Sequence, residues 1–253
     1  MPLDALFTEF PGNPLLQSPN LERLCVLSRK YNFVLVVDET IGSCANVNTL
    51  TSCDVVCTSL TKMFSGTCNV MGGSVALSPV SPFRDDLYTA LNTNHGGSKW
   101  FPADVLLIEN NSRDFVSRTR RASVNASAVA KQLRLHPAVN EVYYPKGSAS
   151  QHIYEKYKLR DGAYGFMLSI RFKSPAKAIA FHDTLDVAKG PSLGTNFSLA
   201  CKCSPLCVCA ESVADIKSRT IPVKKSVCKH RFPTKTQHIA NKNDNVLQNY
   251  KIN

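Results

Sequence analysis

Residues 33–37 read Phe-Val-Leu-Val-Val and run directly into Asp38 and Glu39. Five apolar residues in succession, with no polar alternation, describe a strand covered on both faces, so the fold needs layers above and below it. Carboxylates at its end put polar chemistry at the carboxyl edge of the sheet, where open α/β sheets collect ligands. Val55–Thr58 and Gly73–Leu77 read the same way. Pro19-Asn20 ahead of Leu21, Leu24 and Leu27 predicts a helix over about 20–31, and helical spacing recurs over 80–92 and 102–135, the longer stretch breaking near Ala122. Strands separated by helices imply an α/β layer with a largely parallel sheet.

After His136-Pro137 the texture changes: a strand is expected over 139–144, a helix over 149–157, a strand over 164–172 and a helix over 175–185. This alternation suggests a smaller α/β or α+β domain starting near 136. From about Cys201 neither period persists, and a Lys- and Asn-rich stretch closes the chain, so order is expected to fade there.

The 253 residues are 43% hydrophobic, which is enough apolar material for one large or two small cores. The formal charge of +11 is unevenly spread: residues 200–253 hold 10 Lys/Arg against 3 Asp/Glu, and the remainder is nearly balanced. A nucleic-acid surface is therefore not indicated. No apolar run approaches the roughly 20 residues of a membrane span, and the first residues, MPLDALFTEF, lack the basic-then-apolar layout of a secretory signal. The expectation is a cytoplasmic protein with no membrane partner. Five of the ten cysteines are scattered through apolar segments as small hydrophobes, and the other five crowd into 201–228.

The stretch Cys57-Thr-Ser-Leu-Thr-Lys-Met-Phe-Ser-Gly66 puts one lysine, Lys62, just past a buried strand. A lone lysine in such a place usually snorkels to solvent. This one has company: Asp38 ends the neighbouring strand, Ser59 and Thr61 bracket it, and Gly66, Gly72 and Gly73 offer backbone that a ligand can approach closely. An amine for a Schiff base, an acid for a pyridine nitrogen and hydroxyls for a phosphate are the groups that pyridoxal 5'-phosphate (PLP) requires.

Several motifs, spaced and in order, then resemble one family. Val36-Val37-Asp38-Glu39-Thr40, Ser59-Leu60-Thr61-Lys62 and Asn69-Val70-Met71-Gly72-Gly73 are similar to the PLP-dependent trans-sulfuration enzymes of cysteine and methionine metabolism, in the fungal cystathionine γ-synthase-like branch. Glu9-Phe10-Pro11-Gly12-Asn13-Pro14, Asn110 with Ser112-Arg113-Asp114-Phe115, Tyr164-Gly165 and Lys189-Gly190-Pro191-Ser192-Leu193-Gly194-Thr195-Asn196-Phe197 fit the same branch, over about residues 3–201. The resemblance implies fold type I, the aspartate aminotransferase-like α/β transferase fold. Residues 1–135 would then be a partial large domain ending in a long connecting helix, and 136–200 a partial small C-terminal domain. Residues 201–253 would be an aberrant Cys/Lys-rich tail.

The resemblance also assigns roles. Lys62 would be the Schiff-base lysine and proton shuttle, Asp38 the partner of the pyridine nitrogen, and Ser59 and Thr61 the phosphate contacts. Asn13 would lie near the ring 3-hydroxyl, and Ser192 would help hold the substrate carboxylate. The implied reaction is γ-replacement on an O-acylhomoserine by cysteine to give cystathionine. The implied partners are small amino-acid substrates and further copies of the chain, in a homodimer or homotetramer.

Two departures temper the resemblance. The family carries a large segment ahead of the Glu9 element, with a phosphate-binding loop and a ring-stacking aromatic. It also continues past Cys201 to an R-x-S-x-G element whose arginine binds carboxylate, a context that neither Arg219 nor Arg231 has. The alternative to an active transferase is a shortened, catalytically incompetent homologue or a gene-model fragment, and an altered reading frame or a mis-predicted exon is expected from about residue 202. A competing reading takes Cys201, Cys203, Cys207, Cys209, Cys228, His230 and His238 as soft zinc or copper(I) ligands, although no paired C-x2-C spacing is present. No metal is assigned to the lysine site. Translating the underlying nucleotides in the other two frames should restore the arginine element; its absence from both would refute the frame change.

Overall fold

A computed structural model describes residues 3–95, 100–204 and 207–211. The first sheet has the order β1-β2-β3-β4, from β1 (Ala5–Glu9), β2 (Val34–Asp38), β3 (Val55–Ser59) and β4 (Gly73–Leu77). β1 pairs with β2 and β2 with β3 in parallel, whereas β4 returns antiparallel to β3. The continuous apolar run behaves as its composition demands: Leu35, Val36 and Val37 are buried, and Asp38 emerges into solvent at the strand end.

Helix α1 (Leu21–Tyr31) starts where Asn20 predicts, its side-chain oxygen accepting the Arg23 amide at 2.9 Å. It ends at Asn32, which takes the left-handed conformation at φ 53°. Leu21 of this helix packs with Phe10, Leu35, Val37, Val56, Tyr154 and Tyr157 into the core of the first sheet.

Helix α2 (Arg84–His95) precedes α3 (Pro102–Ser112) and α4 (Phe115–Arg134). The long helical pattern therefore breaks at Arg113-Asp114 and not near Ala122. Asn110, Asn111, Ser112 and Asp114 have side chains that compete for backbone partners and favour a helix end. Ala122 is instead fully buried in mid-helix, its small side chain admitting Leu16, Met63, Phe115 and Phe166 to a shared cluster.

The second sheet runs β5-β6-β9-β8-β7, from β5 (Val139–Tyr143), β6 (Met167–Phe172), β7 (Ala188–Lys189), β8 (Leu199–Ser204) and β9 (Cys207–Glu211). All its pairings are antiparallel except β7 with β8. Helices α5 (Gln151–Tyr157) and α6 (Pro175–Thr184) complete this half. Regular structure thus continues about ten residues beyond the break expected at Cys201. The segment Cys207-Val-Cys-Ala210 supplies small apolar residues that a pleated ladder accepts, although no alternation announces it. The rest of the tail, including Cys228, His230 and His238, lies outside the described residues. Among the described residues no helix is long and apolar enough to cross a membrane, and no three His, Cys, Asp or Glu gather as a metal site would need.

One buried carboxylate fastens the first sheet. Asp54, with no exposed surface, accepts the Arg29 guanidinium at 2.7 and 3.2 Å, the Leu35 amide at 2.8 Å and the Ser81 hydroxyl at 2.6 Å. Burial alone would push this carboxyl up; the bonds from Arg29, Leu35 and Ser81 outweigh it and hold the group below its ordinary value. Its stabilising contribution is therefore complete above an unfolded value of about 3.9 and is lost as pH falls through the folded value. Asp54→Ala should cost about 3 kcal/mol in urea denaturation at about pH 7, the low end for a broken buried pair because Arg29 is partly exposed. The same variant should lose less stability than the native chain between about pH 5 and pH 2.

Candidate active site

The parallel register brings three strand ends to one edge: Glu9 stands opposite Asp38 and Asp38 opposite Cys57, with Ser59 ending β3. Thr40 ties the edge together. Its amide donates to Asp38 Oδ1 at 2.9 Å, and its hydroxyl oxygen accepts the Ser59 amide at 2.9 Å. On the β1 side, Glu9 Oε2 accepts the Asn13 amide at 2.7 Å and fixes the loop carrying Asn13.

Directly after Ser59 the chain makes one π-helical turn, Leu60–Phe64, with the Ser65 amide donating to the Leu60 carbonyl at 3.0 Å. Lys62 lies inside that turn with ψ −129°, far from helical backbone. Residues held in such sparsely populated backbone conformations cluster at functional sites. The entry to the turn is held by Gly72, whose carbonyl accepts the Leu60 and Thr61 amides at 2.9 and 3.3 Å. A side chain at Gly72 would run into the Trp100 ring, 2.3 Å from where its Cβ would stand.

One cleft is lined by Asn13, Asp38, Ser59 and Lys62 together with Glu9, Thr40 and Leu193. It measures about 180 Å³, small beside the roughly 300 Å³ at which ligand pockets usually begin. A neighbouring cleft of about 810 Å³ shares Asp38 and Ser59 and adds Thr58, Gly72, Gly73 and Trp100, so the two together offer room for a ring and its substituents. Lys62 Nζ donates to Ser192 Oγ at 3.2 Å across 130 residues of sequence.

Four of the six residues singled out in the sequence thus share a cleft, and the fifth, Ser192, touches Lys62 from outside it. Thr61 differs. Its hydroxyl accepts the Gly72 amide at 3.0 Å and reaches the Gly72 carbonyl at 3.4 Å, and it does not line the cleft around Lys62.

Sequence reasoning missed three residues here. Thr40 carried no assigned role. Glu39, 3% exposed, has its carboxyl pushed up by burial, opposed by hydrogen bonds from the Thr49 hydroxyl at 2.6 Å and amide at 3.2 Å. Arg118, buried on α4, reaches the carbonyls of the Lys62 turn. The only signal for Glu39 and Thr40 was their place directly after a buried strand; an arginine in a helical pattern gives none.

The Ser192 loop lies tightly on the lysine turn. Gly194 has φ +75°, and a Cβ there would stand 2.4 Å from the Met63 nitrogen and 2.6 Å from Lys62 Cβ. The next turn of the loop is anchored by the Asn196 amide on the Gly66 carbonyl at 2.7 Å. Gly194→Ala should therefore separate Ser192 from Lys62 and destabilise the fold by about 2 kcal/mol or more, from left-handed strain plus the clash. Urea denaturation reads the second effect, and a crystal structure of the variant reads the Lys62–Ser192 distance.

A family model described as Cys/Met metabolism PLP-dependent enzyme matches residues 2–218, beyond the 3–201 over which motifs were read. Cystathionine gamma-synthase of Neurospora crassa is 50% identical over 195 residues, covering 77% of this chain and 31% of that protein. Cystathionine gamma-synthase of Saccharomyces cerevisiae is 40% identical over 206 residues, covering 78% and 32%. This chain spans about a third of the length of these curated relatives. Among solved structures, cystathionine gamma synthase from Xanthomonas oryzae pv. oryzae in complex with aminoacrylate and cysteine superposes with TM-score 0.73 at 25% identity, over 83% of this chain and 59% of that one. Corynebacterium glutamicum metB gives TM-score 0.75 at 24% identity, over 84% and 59%.

Proposed function

Because the chain belongs to the Cys/Met metabolism PLP-dependent enzyme family and has the fold of its trans-sulfuration members, we propose that it holds pyridoxal 5'-phosphate on Lys62 and serves γ-replacement chemistry. The observation that carries this reading is the meeting of Asn13, Asp38, Ser59 and Lys62 in one cleft, with Ser192 on the lysine. The donor set fits the group: one amine, one carboxylate fixed by a backbone amide, and hydroxyls at the mouth of the larger adjoining cleft.

Bound there, the cofactor would supply a carbonyl that links to amines and a ring that withdraws electrons from neighbouring carbons. Lys62 Nζ would anchor it and then take and return the α- and β-protons of the substrate. The Asp38 carboxylate, held by the Thr40 amide, would keep the ring nitrogen protonated. Ser59 would donate to the phosphate, and Thr61 would do so by turning its one hydroxyl proton away from the Gly72 carbonyl while still accepting the Gly72 amide. Asn13 would face the 3-hydroxyl. Ser192 would orient Lys62 Nζ and help bind the amino-acid carboxylate.

The substrate class is an O-acylhomoserine: its acyloxy group leaves from the γ-carbon, and the sulfur of cysteine forms the new bond there, giving cystathionine. The identities with fungal cystathionine gamma-synthases support that choice. In this reading 1–135 and 136–200 are parts of a large and a small domain. Assembly as a homodimer or homotetramer and a cytoplasmic location belong to it as well, and rest on the family resemblance.

Borohydride reduction of the chain with pyridoxal phosphate, followed by peptide mapping, should place a pyridoxyl group on Lys62, and Lys62→Ala should abolish it. Turnover of O-acetyl- or O-succinylhomoserine with cysteine should fall by at least about a thousandfold in the same variant. A Lys62 adduct without turnover in the native chain would favour the incompetent-homologue reading, and no adduct would sink the cofactor assignment.

A further inference from the structure

Arg118 heads the fully buried side chains by size, with 2% of its surface exposed, and no motif or proposed role uses it. Its partners are concentrated on the segment that follows Lys62. Nη2 shares its two N–H groups among the carbonyls of Met63 at 3.0 Å, Phe64 at 2.8 Å and Ser65 at 3.3 Å. Nη1 and Nη2 each reach the Asn111 carbonyl at 3.3 Å, and Nη1 pairs with Asp114. One guanidinium thus gathers three successive carbonyls at the close of the lysine turn, where a helical turn leaves acceptors unsatisfied.

Two further contacts show that the segment is shaped around this group. Gly66 has φ +75°, and a Cβ there would stand 2.9 Å from Arg118 Nε and 3.0 Å from its Cζ. Glycine is favoured both by the left-handed backbone and by the space the buried guanidinium fills. Asn111, at the end of α3, donates to Ser65 Oγ at 3.0 Å and Asn69 Oδ1 at 2.9 Å, extending the same hold by three residues. The Phe64 and Phe115 rings meet at 5.1 Å and add an apolar contact between the turn and α4.

The turn needs such a hold because its own ladder is interrupted. At ψ −129° Lys62 leaves the helical path, and the bonds that close the turn are the Ser65 amide on Leu60 and the Gly66 amide on Lys62, at 3.0 and 2.7 Å. A backbone in a sparsely populated conformation persists when its surroundings over-determine it.

We propose that Arg118 is a positioning residue for Lys62: by binding the carbonyls of residues 63–65 it fixes the direction in which the lysine leaves the turn, toward the cleft and Ser192. The guanidinium suits the task because its donors form a rigid planar fork, whereas a lysine would present a single point charge. The proposal deepens, and rests on, the reading of Lys62 as the cofactor lysine. Its geometric content concerns the chain itself and is measurable without the cofactor.

The test compares the full chain with Arg118→Met, Arg118→Lys, Lys62→Ala and Leu168→Ala, the last a core truncation in the second sheet that lowers stability without touching the turn. Competitive acylation of the cofactor-free folded protein with isotope-coded acetic anhydride reads Lys62 against Lys156 and Lys177. Arg118→Met should change the relative reactivity of Lys62 by at least about threefold and speed hydrogen exchange at the Ser65 and Gly66 amides by about tenfold. Arg118→Lys should recover part of both effects, and Leu168→Ala should leave Lys62 reactivity unchanged. If Arg118→Met does not fold, Arg118→Lys carries the comparison. Unaltered Lys62 reactivity in the arginine variants, or an equal change in Leu168→Ala, overturns the proposal. With pyridoxal phosphate added, a native chain that forms no Lys62 adduct refutes the cofactor reading separately, and the acylation result still decides the role of Arg118.

Discussion

The register between β2 and β3 sets where every group of the candidate site can stand. It is fixed from the amino end of β3, where the Asp54 amide donates to the Leu35 carbonyl and the Asp54 carboxylate accepts the Leu35 amide. Slipping that pairing by one residue would turn every side chain of the strand to the other face. With the register set, Asp38 falls beside Cys57, and Ser59 stands two residues further along β3 at the edge. The buried carboxylate also binds Arg29 of α1 and Ser81 beyond β4, so one group aligns helix, two strands and a following loop.

From that edge the lysine is held from three directions. Gly72 receives the start of its turn, Arg118 gathers the end, and the loop around Ser192 and Gly194 closes over it. The holding groups come from β4's approach, α4 and the chain ahead of β8, far apart in sequence. The site is therefore a property of the assembled layers and not of the strand–turn segment alone, which is why a substitution at Gly66 or Gly194 bears on the lysine as directly as one beside it.

What could be read beforehand follows from range. The strands β2, β3 and β4 and helix α1 announce themselves through continuous apolar runs and an asparagine cap, and Asp38, Ser59 and Lys62 are legible because each stands at the end of such a run. Arg118 is illegible because its partners on the lysine turn lie 53 to 55 residues away and a buried arginine leaves the same trace in a helical pattern as an exposed one. The break at Arg113-Asp114 was misplaced toward Ala122 because a small residue and a helix end look alike without the packing that separates them. The strands at 199–204 and 207–211 escaped notice because β7, β8 and β9 gain their stability from pairing with one another and, through β9, with β6, with little alternation of their own.

The central claim is that Lys62 and Asp38 form the two poles of one cofactor site. A crystal structure of the chain soaked with pyridoxal phosphate tests it most directly. Continuous density is expected from Lys62 Nζ to the cofactor, with the Asp38 carboxylate against the ring nitrogen and Ser59 at the phosphate. Density joined to a different lysine, or a ring bound away from Asp38, would contradict it.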